Sequence, residues 1–272
     1  MSFSELILNN NRVYHLDLAP GECAETIITV GDPERVTHVS RHFDVVEVKR
    51  AHREFVTHTG LFRGRRLSVI STGIGTDNID IVLNEVDALF NVDFDSKQPK
   101  EKLSKLTFLR IGTSGAIADV PVDSFLVSAA AIGLDGLMPY YSDHLDFISH
   151  ELFPVPVYFT QADDALLEKA LIFSEVEKGL TLTTAGFYAP QGRSIRLKSS
   201  LDLDKISQTS FKGHLPTNIE METAGIYALS SLLGHAAISF NAILANRKQG
   251  TFSSIPSETV DALIRFVLNK MI

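Results

Sequence analysis

The chain of 272 residues predicts an α/β protein, a three-layer α/β/α single domain with a mixed central sheet. Short apolar runs rich in Val and Ile alternate with longer amphipathic segments along most of its length. That is the pattern of strands interleaved with covering helices. The composition, 44% hydrophobic and 21% charged, is that of a globular chain able to bury a full core. No internal repeat, low-complexity stretch or linker divides it, so one domain spanning residues 1–272 is expected.

Thr26 to Val30 reads as a buried strand ending at Gly31. Pro33, at a favoured first-turn position, opens a helix to about His42. Val45 to Val48 and Phe55 to Phe62 alternate as strands do, and Arg63-Gly64-Arg65-Arg66 turns the chain into a strand from Leu67 to Ser71. Asp77 to Leu89 carries Ile79, Val82, Leu83 and Val86 on one helical face, with Asp77 or Thr76 as its cap. The polar stretch Asp93 to Lys105 reads as a surface connection. Strands are expected at Leu106 to Ile111, Phe125 to Ile132, Leu180 to Thr184 and His235 to Leu244. Helices are expected at Asp163 to Phe173, Glu222 to Leu233 and Glu258 to Met271.

The formal charge of -8 argues against bulk attraction to nucleic acid or an anionic membrane. A small anionic substrate would need a local cluster of cations. The single cysteine, Cys23, excludes an intrachain disulfide and points to a reducing compartment. The nine histidines show no metal-ligand spacing. Met1 to Glu5 lacks a basic stretch followed by an apolar run, and no apolar stretch reaches the roughly 20 residues that span a bilayer. A cytoplasmic protein without nucleic-acid or membrane partners is expected.

Three arginines stand beside tight junctions. Gly31-Asp32-Pro33-Glu34-Arg35 marks a strand-to-helix junction whose amide groups attract an anion, and Arg35 adds a fork of donors. Arg110 precedes Gly112-Thr113-Ser114-Gly115, expected as a second turn with free amides and two hydroxyls. Arg53 lies in His52-Arg53-Glu54-Phe55. Singly, each arginine reads more readily as a surface or ion-pairing residue, Arg110 least so because of its Gly-Thr-Ser-Gly context.

Asn218-Ile219-Glu220-Met221-Glu222-Thr223-Ala224 places two carboxylates at the mouth of an apolar segment. Glu222 is expected to accept hydrogen bonds from sugar hydroxyls; Met221 reads equally as a soft wall against the sugar or as core packing. Glu220 reads either as a second acceptor or as a carboxylate favoured at a helix N-terminus. In Phe187-Tyr188-Ala189-Pro190-Gln191-Gly192-Arg193, the Gln191 amide offers a donor beside an acceptor. That suits a base edge presenting a carbonyl next to an N–H. Arg193 could offset negative charge on a departing base, and Phe187 could stack on it or contact the sugar; on its own, this short motif reads equally as a surface loop.

These blocks, in this order, resemble the nucleoside phosphorylase family. The match runs from about Tyr14 to Arg247 and includes His52-Arg53-Glu54-Phe55, Ser71-Thr72-Gly73-Ile74-Gly75, Leu109-Arg110-Ile111-Gly112-Thr113-Ser114-Gly115 and Ile219-Glu220-Met221-Glu222. Phe187-Tyr188-x-x-Gln191-x-Arg193 and Asn246-Arg247 are similar to the family's uridine branch, whereas its purine members carry an aspartate in the latter segment. The resemblance implies reversible phosphorolysis, with inorganic phosphate as co-substrate and no other required cofactor. It implies that Gly31, Arg35, Arg110 and Thr113 bind phosphate, joined by Arg53 from a neighbouring subunit. It gives ribose to Met221, Glu222 and a neighbour's His15, and the base to Phe187, Gln191 and Arg193. It further implies a homodimer as the active unit, stackable into a hexameric trimer of dimers, and a potassium ion at Glu54, Ile74 and Asn78. Asp77-Asn78 departs from the Pro-Ser of bacterial relatives near that ion. Lys248 to Ser257 would form a mobile flap. A purine or broad-specificity phosphorylase, a hydrolytic nucleosidase and a non-catalytic nucleoside sensor are the competing readings.

Overall fold

The computed structural model describes residues 5–141, 145 and 147–272; residues 1–4, read above for a leader, lie outside them. The chain forms two compact units. The first contains Met1–Leu109 with Leu229–Ala236, and the second Arg110–Ala228 with Ala237–Ile272.

In the first unit, β1 (Thr26–Val30) runs parallel to β4 (Arg65–Ser71), with Ile28 opposite Val69. The antiparallel strands β2 (Val45–His52) and β3 (Phe55–Phe62) extend the sheet beyond β4. Helix α1 (Pro33–Ser40) starts at the N-cap Asp32, whose side chain accepts from the Glu34 amide at 2.9 Å. Helix α2 (Thr76–Asn91) buries Ile79, Val82, Leu83 and Val86 as its periodicity predicts. Its cap differs from expectation. Gly75 occupies that position at φ +98°, a left-handed conformation that favours glycine, and neither Thr76 nor Asp77 caps the helix. The polar connection after α2 contains a small antiparallel pair, Val92–Asp93 with Gln98–Pro99.

The second unit is built around strands that close on themselves. β6 (Phe125–Leu134) runs parallel to β8 (Val176–Thr184), and β8 parallel to β9 (Pro216–Glu220). β9 pairs antiparallel with the end of β5 (Thr107–Ala116), β5 pairs with β10 (Ala236–Asn246), and β10 returns to β6. The alternation of parallel and antiparallel neighbours bears out a mixed sheet; closure into a barrel-like core is what the sequence did not reveal. β7 (Val157–Gln161) adds antiparallel to β6.

Pleating gives each barrel strand two faces. Leu180, Leu182 and Ile219 turn outward into an apolar cluster with Ile132, Phe153 and Ile206, the last from helix α4 (Leu203–Gln208). Thr181, Asn218 and Ser128 turn the other way and bond to one another. The Ser128 and Thr181 hydroxyls lie 2.6 Å apart, and Thr181 donates to Asn218 Oδ1 at 2.9 Å. The run Gly112 to Gly115, expected as a turn, is strand: Gly115 sits opposite Ile219 in the β5–β9 ladder. The amides expected to be free there belong to a buried strand. Helices α3 (Asp164–Leu171), α5 (Thr223–Leu233) and α6 (Pro256–Phe266) lie where helices were expected, and α6 runs on as a π-helical turn at Val267–Met271.

His58, on β3, is buried with its Nδ1 2.7 Å from the Ser40 hydroxyl. Burial, and then Lys49, hold its pKa below the ordinary histidine value of 6.5. Above about pH 6.5 both folded and unfolded chains carry it neutral; below that, the unfolded chain takes up the proton first. Stability is therefore lost as pH falls from about 6.5. His58→Asn, which keeps a polar partner for Ser40, should flatten the fall in melting temperature between pH 7 and pH 5. An unchanged slope would contradict this assignment.

Candidate active site

The second unit contains a buried ion cluster. Arg110 is 6% exposed. Its Nη2 donates to Glu222 Oε2 at 2.7 Å and lies 2.9 Å from Glu220 Oε2; its Nη1 donates to Asn241 Oδ1 at 3.0 Å and to the Ser239 hydroxyl at 3.3 Å. Burial alone would depress its pKa, but the two carboxylates outweigh that and hold it above the ordinary arginine value. The guanidinium folds back beneath Gly112, where a Cβ would fall 2.0 Å from Nη1. Glycine there is a condition of the ion pair.

The two carboxylates have different work. Glu220 Oε1 accepts from Thr183 Oγ1 at 2.6 Å. Its Oε2 accepts at 3.0 Å from the Glu222 amide, the Thr223 amide and the Thr223 hydroxyl. It caps the N-terminus of α5, the second of its two sequence readings. Glu222 is 7% exposed and bound to Arg110, beside the half-buried Met221. Thr113 is half-buried on β5.

A second cluster surrounds Gln191, which is 2% exposed. Arg193 Nη1 donates to its side-chain carbonyl, and Arg247 Nη1 to its main-chain carbonyl. Arg193 also donates to the Phe187 carbonyl at 2.7 Å, and its guanidinium stands 3.9 Å over the Phe187 ring. Burial lowers the pKa of both arginines, and the charge of Arg193 adds to the effect on Arg247. Gly192, at φ +72°, ends the short helical turn Ala189–Gln191 and lets the chain bring Arg193 back. Asn246 donates to the carbonyls of Ala118 and Val120 at 3.0 and 2.9 Å and accepts from the Gln249 amide. Its side chain is committed to main-chain groups. Past it, Thr251–Phe252 pairs back on β10, with Ala245 opposite Phe252, inside the segment expected as a flap.

The first unit holds the remaining expected residues. Gly31 and Arg35 flank the N-terminus of α1, with Asp32 as cap. Arg53 is exposed at the β2–β3 turn with φ +56°, its guanidinium 5.8 Å from the Tyr14 ring centroid. His15 Nδ1 lies 2.6 Å from Glu85 Oε1. Glu54 and Asn78 both crowd Gly73, whose Cβ would fall 3.2 Å from Glu54 Cγ and 2.5 Å from Asn78 Nδ2, and Asn78 donates weakly to the Ile74 carbonyl. A carboxylate, a carbonyl and an amide are hard oxygen donors that suit an alkali cation, but three are too few to surround one. Among the described residues, no group of three or more His, Cys, Asp or Glu is placed to hold a metal ion, and no helix is long and apolar enough to cross a membrane.

Sequence reasoning missed Asn241, Ser239, Thr183, Glu85 and the grip of Arg247 on Gln191. Signals existed. Ser239 and Asn241 interrupt an apolar strand at a spacing of two, and Glu85 is an acid among the buried positions of α2.

The chain belongs to the Phosphorylase superfamily, whose model matches residues 25–266; it is a nucleoside phosphorylase, a pentosyltransferase with phosphate as co-substrate. It is 30% identical over 240 residues to a uridine phosphorylase of Thermococcus kodakarensis, covering 88% of this chain and 79% of that one. It is 28% identical over 264 residues to a DeoD-type purine nucleoside phosphorylase of Listeria welshimeri, covering 92% and 99%. Among solved structures, a Trypanosoma brucei nucleoside phosphorylase described as showing uridine phosphorylase activity superposes with a TM-score of 0.86 at 26% identity. That match covers 98% of this chain and 99% of the other.

Arg110→Met should leave Glu220 and Glu222 buried without their cation and cost roughly 3–5 kcal/mol of stability. Urea unfolding measures this, and an unmoved midpoint would contradict the cluster's role.

Proposed function

We propose that the protein is a uridine phosphorylase, converting uridine and phosphate reversibly to uracil and ribose 1-phosphate. The observation that carries this is the Gln191 cluster. A buried amide is held at both of its carbonyl groups by guanidiniums, in a place that favours incoming negative charge. When the glycosidic bond breaks, its electron pair leaves with the base. A pyrimidine carries that charge on its carbonyl oxygens, where Gln191 and Arg193 could donate. A purine leaves most readily when a nearby acid protonates its ring. The segment Leu244 to Arg247 offers no acid, and Asn246 is turned to the main chain. The Listeria relative keeps a purine activity in view as the second reading.

In this reading phosphate attacks the anomeric carbon opposite the departing base, without a covalent enzyme intermediate. Catalysis is by positioning and electrostatics. Gly31, Arg35, Arg110 and Thr113 are assigned to phosphate, with Arg53 supplied by a partner copy. Glu222 and Met221, with a partner's His15, are assigned to ribose. Arg110 then serves twice, fixing Glu222 and bearing on phosphate. The active unit is a homodimer, with a hexamer as its stacked form. Potassium at Glu54, Ile74 and Asn78 would need oxygens from the partner copy as well. The single cysteine, buried and free, fits a reducing cytoplasm.

A panel of uridine, deoxyuridine, thymidine, inosine and adenosine with phosphate tests the specificity. Uridine should exceed inosine and adenosine in kcat/KM by a factor of about 100 or more, a difference built on paired versus unpaired polar groups; purines turned over as well as uridine would overturn the reading. Arg193→Ala should lower kcat on uridine roughly 100-fold or more, and near-normal turnover would remove it from the chemistry.

A further inference from the structure

The segment Tyr14-His15-Leu16 is held by one buried carboxylate. Glu85, on α2, is 7% exposed. Both its oxygens lie 3.0 Å from the His15 amide, Oε2 accepts from the Leu16 amide at 2.9 Å, and Oε1 meets His15 Nδ1 at 2.6 Å. On its other side, His52 Nδ1 donates to the His15 carbonyl at 3.0 Å. Tyr14 meets both rings edge-on, with centroids 5.0 Å from His15 and 6.2 Å from His52. The His15 side chain keeps 27% of its surface exposed. Main chain, ring plane and ring edge are therefore all set before any ligand arrives.

We propose that Glu85 is a positioning residue that holds His15 in the Nδ1–H form, so that the outward Nε2 serves as a hydrogen-bond acceptor for a sugar hydroxyl. This rests on the assignment of His15 to ribose made above. The reason is in the inventory of donors and acceptors. A carboxylate only accepts, so the 2.6 Å contact requires the proton on Nδ1. With the proton there, the neutral form of the ring has a bare lone pair at Nε2. A sugar hydroxyl that gives its proton to Nε2 keeps its oxygen lone pairs for other donors. A carboxylate buried on an otherwise apolar helix face is costly. Two main-chain N–H partners and the ring nitrogen compensate that cost, and the whole arrangement serves one imidazole edge.

Two variants separate this proposal from the reading beneath it. Glu85→Gln keeps a carbonyl for the main-chain amides but turns an NH2 toward Nδ1, which drives the proton to Nε2. Nitrogen chemical shifts of 15N-labelled histidine report the tautomer directly. Wild-type His15 should be in the Nδ1–H form and the variant in the Nε2–H form. Kinetically, Glu85→Gln should lose about 10-fold or more in kcat/KM on uridine. The loss should vanish for the one deoxynucleoside, 2′-deoxyuridine or 5′-deoxyuridine, that lacks the hydroxyl His15 binds. A general structural defect would lower all three substrates equally, and that outcome overturns the proposal. Wild-type His15 in the Nε2–H form overturns it too, and this measurement stands even if the variant does not fold. His15→Ala tests the underlying assignment: full activity on uridine in that variant would remove His15 from the sugar and leave the tautomer result intact.

Discussion

A guanidinium buried among two carboxylates, an amide and a hydroxyl organises the interior of the second unit. Arg110 cannot be removed from water at acceptable cost unless its donors are met, and the barrel strands supply the acceptors. Glu220 and Glu222 come from the end of β9 and the residues after it, and Asn241 and Ser239 from β10. The bonds continue from there. Asn241 donates to Ser128, Ser128 meets Thr181, Thr181 donates to Asn218, and Asn218 donates to Ser114. Each link joins two strands of the ring, so the polar interior fixes register as well as solvation. The cluster has two carboxylates to one guanidinium, which explains why Glu220 needs the α5 amides as well. Glu222, bound to the same guanidinium, is the carboxylate that the proposed function assigns to ribose.

The Gln191 cluster works on the opposite electrostatic principle. Two guanidiniums meet around one neutral amide, and burial opposes both charges. In the function proposed above, negative charge developing on the base would offset the repulsion between Arg193 and Arg247. Phe187, more than half exposed and faced by Arg193, gives the cluster an aromatic wall.

Much of the fold was legible from apolar spacing. The α2 face, the β1–α1 junction and the strands from Phe125 and Leu180 follow the predicted pattern. Two short strands, Val157–Gln161 and Pro216–Glu220, and the closure of the barrel did not emerge, because closure depends on pairing between strands distant in sequence. Its trace was present nonetheless. Thr181 and Thr183, Asn218 and Glu220, and Ser239 and Asn241 each stand two apart in apolar strands, as residues lining a polar interior must. Gly112 to Gly115 misled because glycine-rich runs usually turn; here Gly112 makes room for a folded-back arginine instead. Residues acting through others, such as Glu85 on His15, have no motif of their own and need coordinates to be seen.

The most direct test is uracil release from uridine by protein dialysed free of phosphate, measured before and after phosphate is added back. Release that appears only with phosphate, with ribose 1-phosphate formed in equal amount, is the predicted result. Release independent of phosphate, with free ribose as product, would make the protein a hydrolase and contradict the account; no release under either condition would contradict uridine as its substrate.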